Sequence, residues 1–396
     1  MKKNRLLILG TRGIPGKHGG FETFAERLAL YLVDRGWNVT VYCQADSKKF
    51  PGAEVYYSVW QGINLVHIPV PKNNSLWSIL FDLKAVLHAI NREGIVLTLG
   101  YNTAIFSLLY RLRKRVNITN MDGMEWWRKK WNFLEKAWLY TNERCAIWFS
   151  DCLIADHPHI KHYLRQEIKT SKPIVVIPYS AQIVTQADKK LLNKYNLVSR
   201  KYLLVIARPE PENSILEIVK AFSKRQRNLP LVILGNYSPE NSYHREVLQF
   251  ASEEVMFLGA IYNQEIVESL RYYARLYVHG HQVGGTNPSL IEALSAGSPV
   301  LAHGNSFNSW VAGEGAAYFK DEVDCDQQLT QILNNEVNLA TMKQSSLARY
   351  YEEFADDRDL KAHEDLFLKQ LGKKLDNKAN QAEPIKLVET KSKSIN

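Results

Sequence analysis

The segment with the clearest chemical pattern is residues 280–300, which reads GHQVGGTNPSLIEALSAGSPV. The pattern predicts a strand, a glycine loop, a helix and a second strand. The backbone amides of Gly284, Gly285 and Thr286 can bind a diphosphate at the dipole-positive end of that helix. Glu292 lies just over one helical turn further on, where its carboxylate can accept hydrogen bonds from a ribose diol. The segment therefore favours a nucleotide site over a generic βαβ unit.

A second glycine-rich segment, residues 10–22, follows the first predicted strand and opens the first predicted helix. It lacks the G-x-G-x-x-G spacing of a dinucleotide site, and Gln44 stands where an acidic ribose-binding residue would follow the second strand. Because glycines and a helix N-terminus suit anions, we predict an anion-binding or acceptor-facing loop. A plain structural loop is the alternative. The candidate residues are Arg12, Gly13, His18, Gly19 and Gly20.

Two aspartates come directly after predicted strands. Asp122 follows the strand at residues 116–120, and Asp156 follows the strand at residues 152–155. Ligands of open α/β sheets bind at the carboxyl ends of strands, so both side chains are candidates for a binding site. Asp122 could orient an acceptor hydroxyl or bind donor-sugar hydroxyls, and Asp156 could act in catalysis or acceptor binding. For each residue, capping the next helix is the alternative.

Tryptophans and cations cluster just after Asp122, a combination that suits the headgroup level of a bilayer. Residues 1–180 hold 25 Lys and Arg against 14 Asp and Glu, whereas residues 181–396 hold 25 against 27. A basic N-terminal half indicates a polyanion, which can be nucleic acid, a membrane surface or a phosphorylated substrate. Ordinary surface charge and core tryptophans are the alternatives. The predicted membrane-docking residues are Trp126, Trp127, Arg128, Lys129, Lys130 and Trp131.

Two arrays of alternating strands and helices must position these segments. Near-continuous apolar strands separated by helices indicate parallel sheets that are covered on both faces. The pattern pauses near residue 180, which predicts two domains with a cleft between them. The predicted domains are residues 1–179 and 180–371, with the last helices able to pack back on the first domain, and residues 372–396 are predicted to be a disordered basic tail. Strands are predicted at residues 5–10, 38–43, 64–68, 95–99, 116–120, 152–155 and 174–177, and then at 202–206, 231–234, 255–257, 276–278 and 299–301.

Several classes of site and segment are not expected. Apolar stretches are too short for a transmembrane helix, and the four scattered cysteines indicate reduced, mostly buried thiols. The string Asp324-Cys325-Asp326 has the D-x-D form of a metal site, but no apolar strand precedes it, so we predict a helix start. No His or Cys spacing indicates zinc. We therefore predict neither a metal nor a cofactor.

The run Pro-Ser-x-x-Glu-Ala-x-x-x-Gly-x-Pro-Val at residues 288–300 resembles the donor-nucleotide motif of family 4 glycosyltransferases. Residues 10–22 and the Asp-Gly-x-Glu-Trp run at residues 122–126 are similar to the bacterial rhamnosyltransferase subgroup that builds capsule and cell-wall polysaccharides. The resemblance covers residues 1–370. It implies the α/β GT-B fold, in which an N-terminal acceptor-binding domain and a C-terminal sugar-nucleotide-binding domain, both Rossmann-like, face an interdomain cleft.

The resemblance also implies a function, namely a metal-independent, retaining hexosyltransferase in polysaccharide biosynthesis. Its donor is dTDP-L-rhamnose, and its acceptor is a lipid-pyrophosphate-linked saccharide. Such an enzyme works in the cytoplasm, peripherally at the inner face of the cell membrane, with an anionic membrane surface rather than nucleic acid as partner. The implied donor-binding residues are Gly284, Gly285, Thr286, Asn287, Ser289, Glu292 and Arg208. The candidate catalytic residues are Arg208 and the two aspartates that follow strands, Asp122 and Asp156.

Two positions depart from the wider family. Gly284 stands where the family has a glutamate that touches the donor sugar, and Asn213 stands where it has a lysine that shares the diphosphate with Arg208. One arginine must then neutralise charge that two cations usually share. The alternatives are the same fold with a UDP- or GDP-hexose donor, a protein that binds or epimerises the sugar nucleotide without transfer, and an NAD-linked oxidoreductase.

Overall fold

The structure, a computed structural model, describes residues 4–16, 19–47, 55–71, 74–128 and 131–381, with side chains up to residue 372. It contains two β-sheets, parallel except for one edge pair of the first sheet, each at the centre of its own domain and covered by helices on both faces. The predicted arrangement of two βα arrays is therefore present. Most of the strand runs are rich in apolar residues because they are buried on both faces.

The N-terminal sheet has eight strands in the order β3-β4-β2-β1-β5-β6-β7-β8. The strands are β1 (Arg5–Leu9), β2 (Asn38–Asp46), β3 (Tyr56–Trp60), β4 (Ile63–Val70), β5 (Ile95–Leu99), β6 (Asn117–Asn120), β7 (Cys152–Ala155) and β8 (Ile174–Val176). The helices of this domain are α1 (Gly20–Asp34), α2 (Ser75–Ala89), α3 (Leu108–Leu112), α4 (Phe133–Phe149) and α5 (Pro158–Gln166).

One strand of this sheet, β3, was not predicted, and it pairs antiparallel with β4 at the sheet edge. Its side chains are largely exposed, so it lacks the apolar run that marks the buried strands. The turn between the two strands has Gln61 and Gly62 at positive φ, as a two-residue hairpin requires. That turn is the sequence signal that could have revealed β3.

The C-terminal sheet has six parallel strands in the order β11-β10-β9-β12-β13-β14. Its strands are β9 (Leu203–Ile206), β10 (Leu231–Leu234), β11 (Val255–Gly259), β12 (Leu276–His279), β13 (Val300–His303) and β14 (Ala317–Phe319), the last of which is only three residues long and was not predicted. The helices are α6 (Ile215–Ser223), α7 (Ser242–Phe250), α8 (Gln264–Tyr272), α9 (Pro288–Ser295), α10 (Ser306–Ala312), α11 (Glu322–Leu333) and α12 (Glu336–Glu353).

The chain crosses between the domains twice, and the two crossings lie side by side. Ala181 forms a bridge with Ala355, and the Ser180 hydroxyl donates to the Asp359 carboxylate over 2.5 Å. The final helix, α13 (Arg358–Gln381), then packs on the N-terminal domain, where Phe367 joins the core around β1 and α1. This helix extends through residues 372–381, which the sequence assigned to the tail, while residues 382–396 lie outside the described part.

Three smaller expectations also have an outcome. The four cysteines are free and buried. Asp324 lies in the first turn of α11, as predicted, and Asp326 pairs with Arg225 and Arg227. Within the described ranges, no helix is both long and apolar enough to cross a bilayer.

Candidate functional site

The structure brings Asp122 and Asp156 to the glycine loop of the opposite domain. Asp156 follows β7, and its Oδ2 accepts the backbone N–H of Thr286 over 3.2 Å. The Thr286 hydroxyl in turn donates to the Asp156 carbonyl oxygen. In the loop after β6, a Cβ on Gly123 would lie 3.2 Å from the Cα of Gly284, so the two backbones touch. The carboxyl ends of the two sheets therefore meet, as expected for a shared cleft.

The two carboxyl groups affect each other's charge. Asp156 is 2% exposed, and burial together with the neighbouring Asp122 raises its pKa to about 8. Burial also raises the pKa of Asp122, although Arg128 and Arg208 oppose that shift. Asp156 therefore keeps its proton at neutral pH, and the pair carries less than two negative charges.

Neither aspartate caps the helix that follows it, so the capping alternative is wrong for both. The α5 helix is capped by His157, whose Nδ1 accepts the N–H of His159 over 3.1 Å. The short 3-10 helix Glu125–Trp127 begins after Met124 and has no side-chain cap. Asp122 instead has a left-handed backbone with φ of 49°, and its N–H donates to the side chain of Asn120. This turn holds Asp122 at the end of β6.

The predicted donor motif forms the N-terminal part of α9. Asn287 caps the helix by accepting the N–H of Ser289, and the Ser289 hydroxyl bonds the Tyr277 hydroxyl over 2.7 Å. Glu292 is half-exposed and pairs with Arg271 over 2.5 Å. Arg271 also donates to Ser289 and is itself buried. Asn287 and Ser289 thus shape the helix start, whereas the partly exposed Glu292 carboxylate is held by Arg271.

Sequence reasoning did not find Arg271. It lies near the end of α8, 21 residues before Glu292, and no local pattern joins the two positions. A buried arginine that pairs with a partly exposed carboxylate fixes the direction of that carboxylate. Arg271 therefore orients Glu292 for hydrogen bonding.

Arg208 follows β9 and is exposed, while Asn213 is buried and donates its Nδ2–H to the Arg208 carbonyl oxygen over 2.7 Å. The residue at the family's lysine position thus shapes the loop and presents no charge. His281, also missed, stacks on His279 with ring centroids 5.0 Å apart. Burial, Arg128 and Arg208 lower the pKa of His281 to about 3, so its imidazole is neutral.

Arg128 lies in the cleft, which does not fit its predicted place on a membrane-docking surface. Its guanidinium pairs with Glu125 over 2.7 Å and with Glu212 of the other domain over 3.5 Å, and the side chain is 17% exposed. Lys129 and Lys130 lie outside the described residues. Among the tryptophans of this cluster, Trp126 packs edge-on against Tyr140, Trp131 is partly buried, and Trp127 is 45% exposed.

The N-terminal glycine loop folds back on α1. The amides of Arg12 and Gly16 donate to the carboxylates of Glu22 and Glu26, over 3.0 and 2.6 Å. These two amides are therefore engaged within the protein, as the plain structural-loop alternative expects, and the anion-binding or acceptor-facing role stays a prediction. Gly19 precedes α1 and Gly20 begins it, while Gly13 donates to the Thr11 hydroxyl and His18 lies outside the described residues.

A small pocket of about 60 Å³ opens beside this loop, at the carboxyl ends of β1 and β5. Strands β2, β4 and β3 lie on one side of β1, whereas β5 to β8 lie on its other side. The carboxyl ends of β1 and β5 therefore mark the topological switch point of the N-terminal sheet. Asp82 lines the pocket and accepts the Thr103 hydroxyl over 2.9 Å. Burial raises the pKa of Asp82 to about 6, although Thr103 and the nearby Arg12 oppose that shift. The buried Tyr110 hydroxyl, also in the lining, has no hydrogen-bond partner among the described residues.

Asp156→Asn tests the protonation of the buried pair. The folded protein holds the Asp156 proton up to about pH 8, whereas the unfolded chain releases it near the ordinary aspartate pKa of 3.8. Folding stability of the wild type should therefore fall as pH rises through that window. Relative to wild type, Asp156→Asn should gain stability between pH 5 and pH 8, on the order of a few kcal/mol, in thermal unfolding across that range. Exposed Asp34→Asn is the control, and a pH-independent difference between Asp156→Asn and wild type would contradict the assignment.

Comparisons with known proteins agree with this architecture. Residues 188–349 match the family "Glycosyl transferases group 1", and residues 3–182 match a "Domain of unknown function (DUF1972)". A search of curated proteins finds no match. Among the residues that the structure describes, no group of three or more His, Cys, Asp or Glu could hold a metal ion.

Three similar solved structures illustrate the fold. Sucrose-phosphate synthase from Thermosynechococcus elongatus has a TM-score of 0.75 at 14% identity, covering 93% of this chain and all of its own. A glycosyltransferase from Rickettsia africae has a TM-score of 0.70 at 16% identity, covering 94% and 99%. Anabaena HepE, solved with UDP and glucose, has a TM-score of 0.70 at 14% identity, covering 92% and 99%. The predicted fold is confirmed: the chain has the two-domain α/β GT-B fold, and its residues 188–349 match the family "Glycosyl transferases group 1".

Proposed function

We propose that the protein transfers L-rhamnose from dTDP-L-rhamnose to a lipid-pyrophosphate-linked saccharide, with retention of configuration, during polysaccharide biosynthesis. The observation that supports this most is the meeting of Asp122 and Asp156 with the N-terminal end of α9, because it places carboxyl groups of one domain against the glycine loop of the other. A transferase needs such a cleft, where the donor lies on one domain and the acceptor on the other. The rhamnosyl donor and the lipid-linked acceptor rest on the sequence resemblance.

The donor side of the proposal uses the glycine loop, Arg208 and Glu292. Glu292, oriented by Arg271, accepts hydrogen bonds from the ribose hydroxyls. The diphosphate takes the amides of Gly284 and Gly285 and faces Arg208. Thr286 already donates its amide to Asp156, so the diphosphate must share or replace that contact. A protonated Asp156 carries no charge and therefore does not repel the diphosphate.

The reaction needs stabilisation of the leaving group more than an added nucleophile. As the glycosidic bond of the donor breaks, charge grows on the diphosphate, and preorganised amides and Arg208 stabilise it. The acceptor hydroxyl forms the new bond on the same face, and its proton passes to the departing phosphate. Asp122 holds an acceptor or donor-sugar hydroxyl in position.

A panel of sugar nucleotides tests the proposed reaction. Purified protein is incubated with dTDP-L-rhamnose, UDP-hexoses or GDP-hexoses and a synthetic lipid-pyrophosphate sugar, and products are followed by mass spectrometry. We expect transfer from dTDP-L-rhamnose. Transfer from another donor alone would support the alternative that Gly284 leaves open, since that position lacks the family's sugar-contacting glutamate. Binding of a donor without transfer to any acceptor would indicate a non-transferring protein.

Glu292→Gln tests the ribose contact. An ionised carboxylate accepts stronger hydrogen bonds than an amide, by roughly 1–2 kcal/mol, so donor affinity should fall about ten-fold. Isothermal titration with the donor measures this, and the thermal unfolding midpoint reports whether the fold persists. Glu336→Gln, which removes an exposed partner of Arg275, is the matched control. Equal donor affinity in Glu292→Gln and wild type would reject the assignment.

We further propose that the N-terminal domain docks on an anionic membrane through α3 and α4 rather than through Arg128. Phe133 and Leu134 at the start of α4 are 83% and 76% exposed, and Trp148 at its end is also exposed. The neighbouring α3 segment adds exposed apolar and basic side chains, which suit a surface of acyl chains and anionic headgroups. These are Leu108, Leu112, Arg111, Arg113 and Lys114.

Vesicle sedimentation tests this docking surface. Binding to anionic vesicles should exceed binding to neutral ones and should weaken as salt rises, because each Lys or Arg contributes on the order of 1 kcal/mol that salt screens. Phe133→Ser with Leu134→Ser should release the protein, whereas Val337→Ser, at an exposed apolar position of the other domain, should not. Both variant proteins should still transfer sugar to a short soluble acceptor, because that reaction does not require membrane docking. Equal binding to neutral and anionic vesicles, or to neither, would refute the surface.

A further inference from the structure

The C-terminal domain has one cation fewer at the donor diphosphate than the family pattern provides. Arg208 is present, but the position five residues later is Asn213, which is 2% exposed and bonded to the Arg208 carbonyl. No lysine side chain reaches the cleft from that position. The charge that grows on the leaving diphosphate would then face a single arginine of this domain.

Arg128 of the N-terminal domain enters the same region from the other side. Its Nη1 lies 3.5 Å from Glu212, the residue before Asn213. The Glu212 carbonyl accepts the N–H of Gln282 over 2.8 Å, which ties this loop to the segment that leads into Gly284. The ion pair thus brings Arg128 to the loop that lacks the lysine.

The contact is supported by the backbone on both sides. Gly123, five residues before Arg128, packs directly against Gly284. The Tyr101 hydroxyl donates to the Gly123 carbonyl and accepts the N–H of Glu125, which fixes the turn from which Arg128 projects. Arg128 therefore projects from a hydrogen-bonded turn that lies beside the glycine loop.

The guanidinium keeps capacity for a further ligand. Its two ion pairs engage Nη2 with Glu125 and Nη1 with Glu212, whereas an arginine offers five N–H donors in a planar fork. That fork suits phosphate oxygens, which accept two parallel hydrogen bonds. The longer of the two pairs, to Glu212, is the one that crosses between the domains.

We propose that Arg128 binds the donor diphosphate from the N-terminal domain and supplies the second cation that Asn213 leaves out. This inference rests on the proposed donor site. It makes the diphosphate a bridge between the domains, since Arg208 holds it from one side and Arg128 from the other. Glu212 holds Arg128 near the site before the donor arrives, so donor binding and domain contact depend on the same residue.

Titration of nucleotides into the full-length protein tests the inference. The probes are dTDP, UDP and GDP, with the monophosphate of whichever diphosphate binds. Arg128→Gln should weaken diphosphate binding by about ten- to a hundred-fold, as expected for loss of a charge-assisted phosphate contact, and should change monophosphate binding by less than about three-fold. The diphosphate affinity of Arg128→Lys should lie between those of Arg128→Gln and wild type, because lysine keeps the positive charge but lacks the planar fork of N–H donors.

The controls separate a diphosphate contact from a structural role. Lys161→Gln removes an exposed cation of the same domain and should leave diphosphate affinity unchanged. Equal diphosphate affinity in Arg128→Gln and wild type would overturn the inference. So would an equal loss for diphosphate and monophosphate together with a lower unfolding midpoint. Wild type that binds no nucleoside diphosphate would instead reject the proposed function.

Discussion

The carboxyl ends of two parallel sheets face each other in this protein, and the contact between Asp156 and Thr286 holds them together at the centre of the cleft. The contact is possible because glycines on both sides let the backbones touch. A Cβ on Gly285 would overlap both Oδ atoms of Asp156, and a Cβ on Gly123 would press on Gly284. The chemistry proposed for the cleft depends on this close approach.

Charge in the cleft is balanced between the domains rather than within either one. The N-terminal domain contributes Asp122, Asp156 and the Glu125–Arg128 pair, and the C-terminal domain contributes Glu212, Arg208 and a neutral His281. Because Asp156 keeps its proton, it carries no negative charge that would repel an anion bound in the cleft. The final helix α13 starts where the chain crosses between the domains and packs on the N-terminal domain. The connection between the domains therefore consists of two adjacent chain segments.

Sequence patterns predicted most of the fold because buried parallel strands are nearly continuous apolar runs. The exposed β3 and the three-residue β14 were not predicted, since neither contains a long buried apolar run. The glycine loop before α9 and the aspartates at strand ends were also predictable from local pattern. The pairing of Arg271 with Glu292 and the placement of Arg128 were not, because both depend on packing between distant segments. A basic cluster next to tryptophans is equally compatible with a membrane surface and a cleft.

Hydrogen–deuterium exchange with and without a saturating nucleoside diphosphate tests the central claim, that both domains bind the donor at one cleft. The diphosphate that binds in titration is added to the full chain, and peptides are followed across the described residues. We expect protection in residues 121–128 of the N-terminal domain and in residues 282–292 of the C-terminal domain at the same nucleotide concentration. Protection confined to residues 10–16, or to one domain only, would contradict the shared cleft.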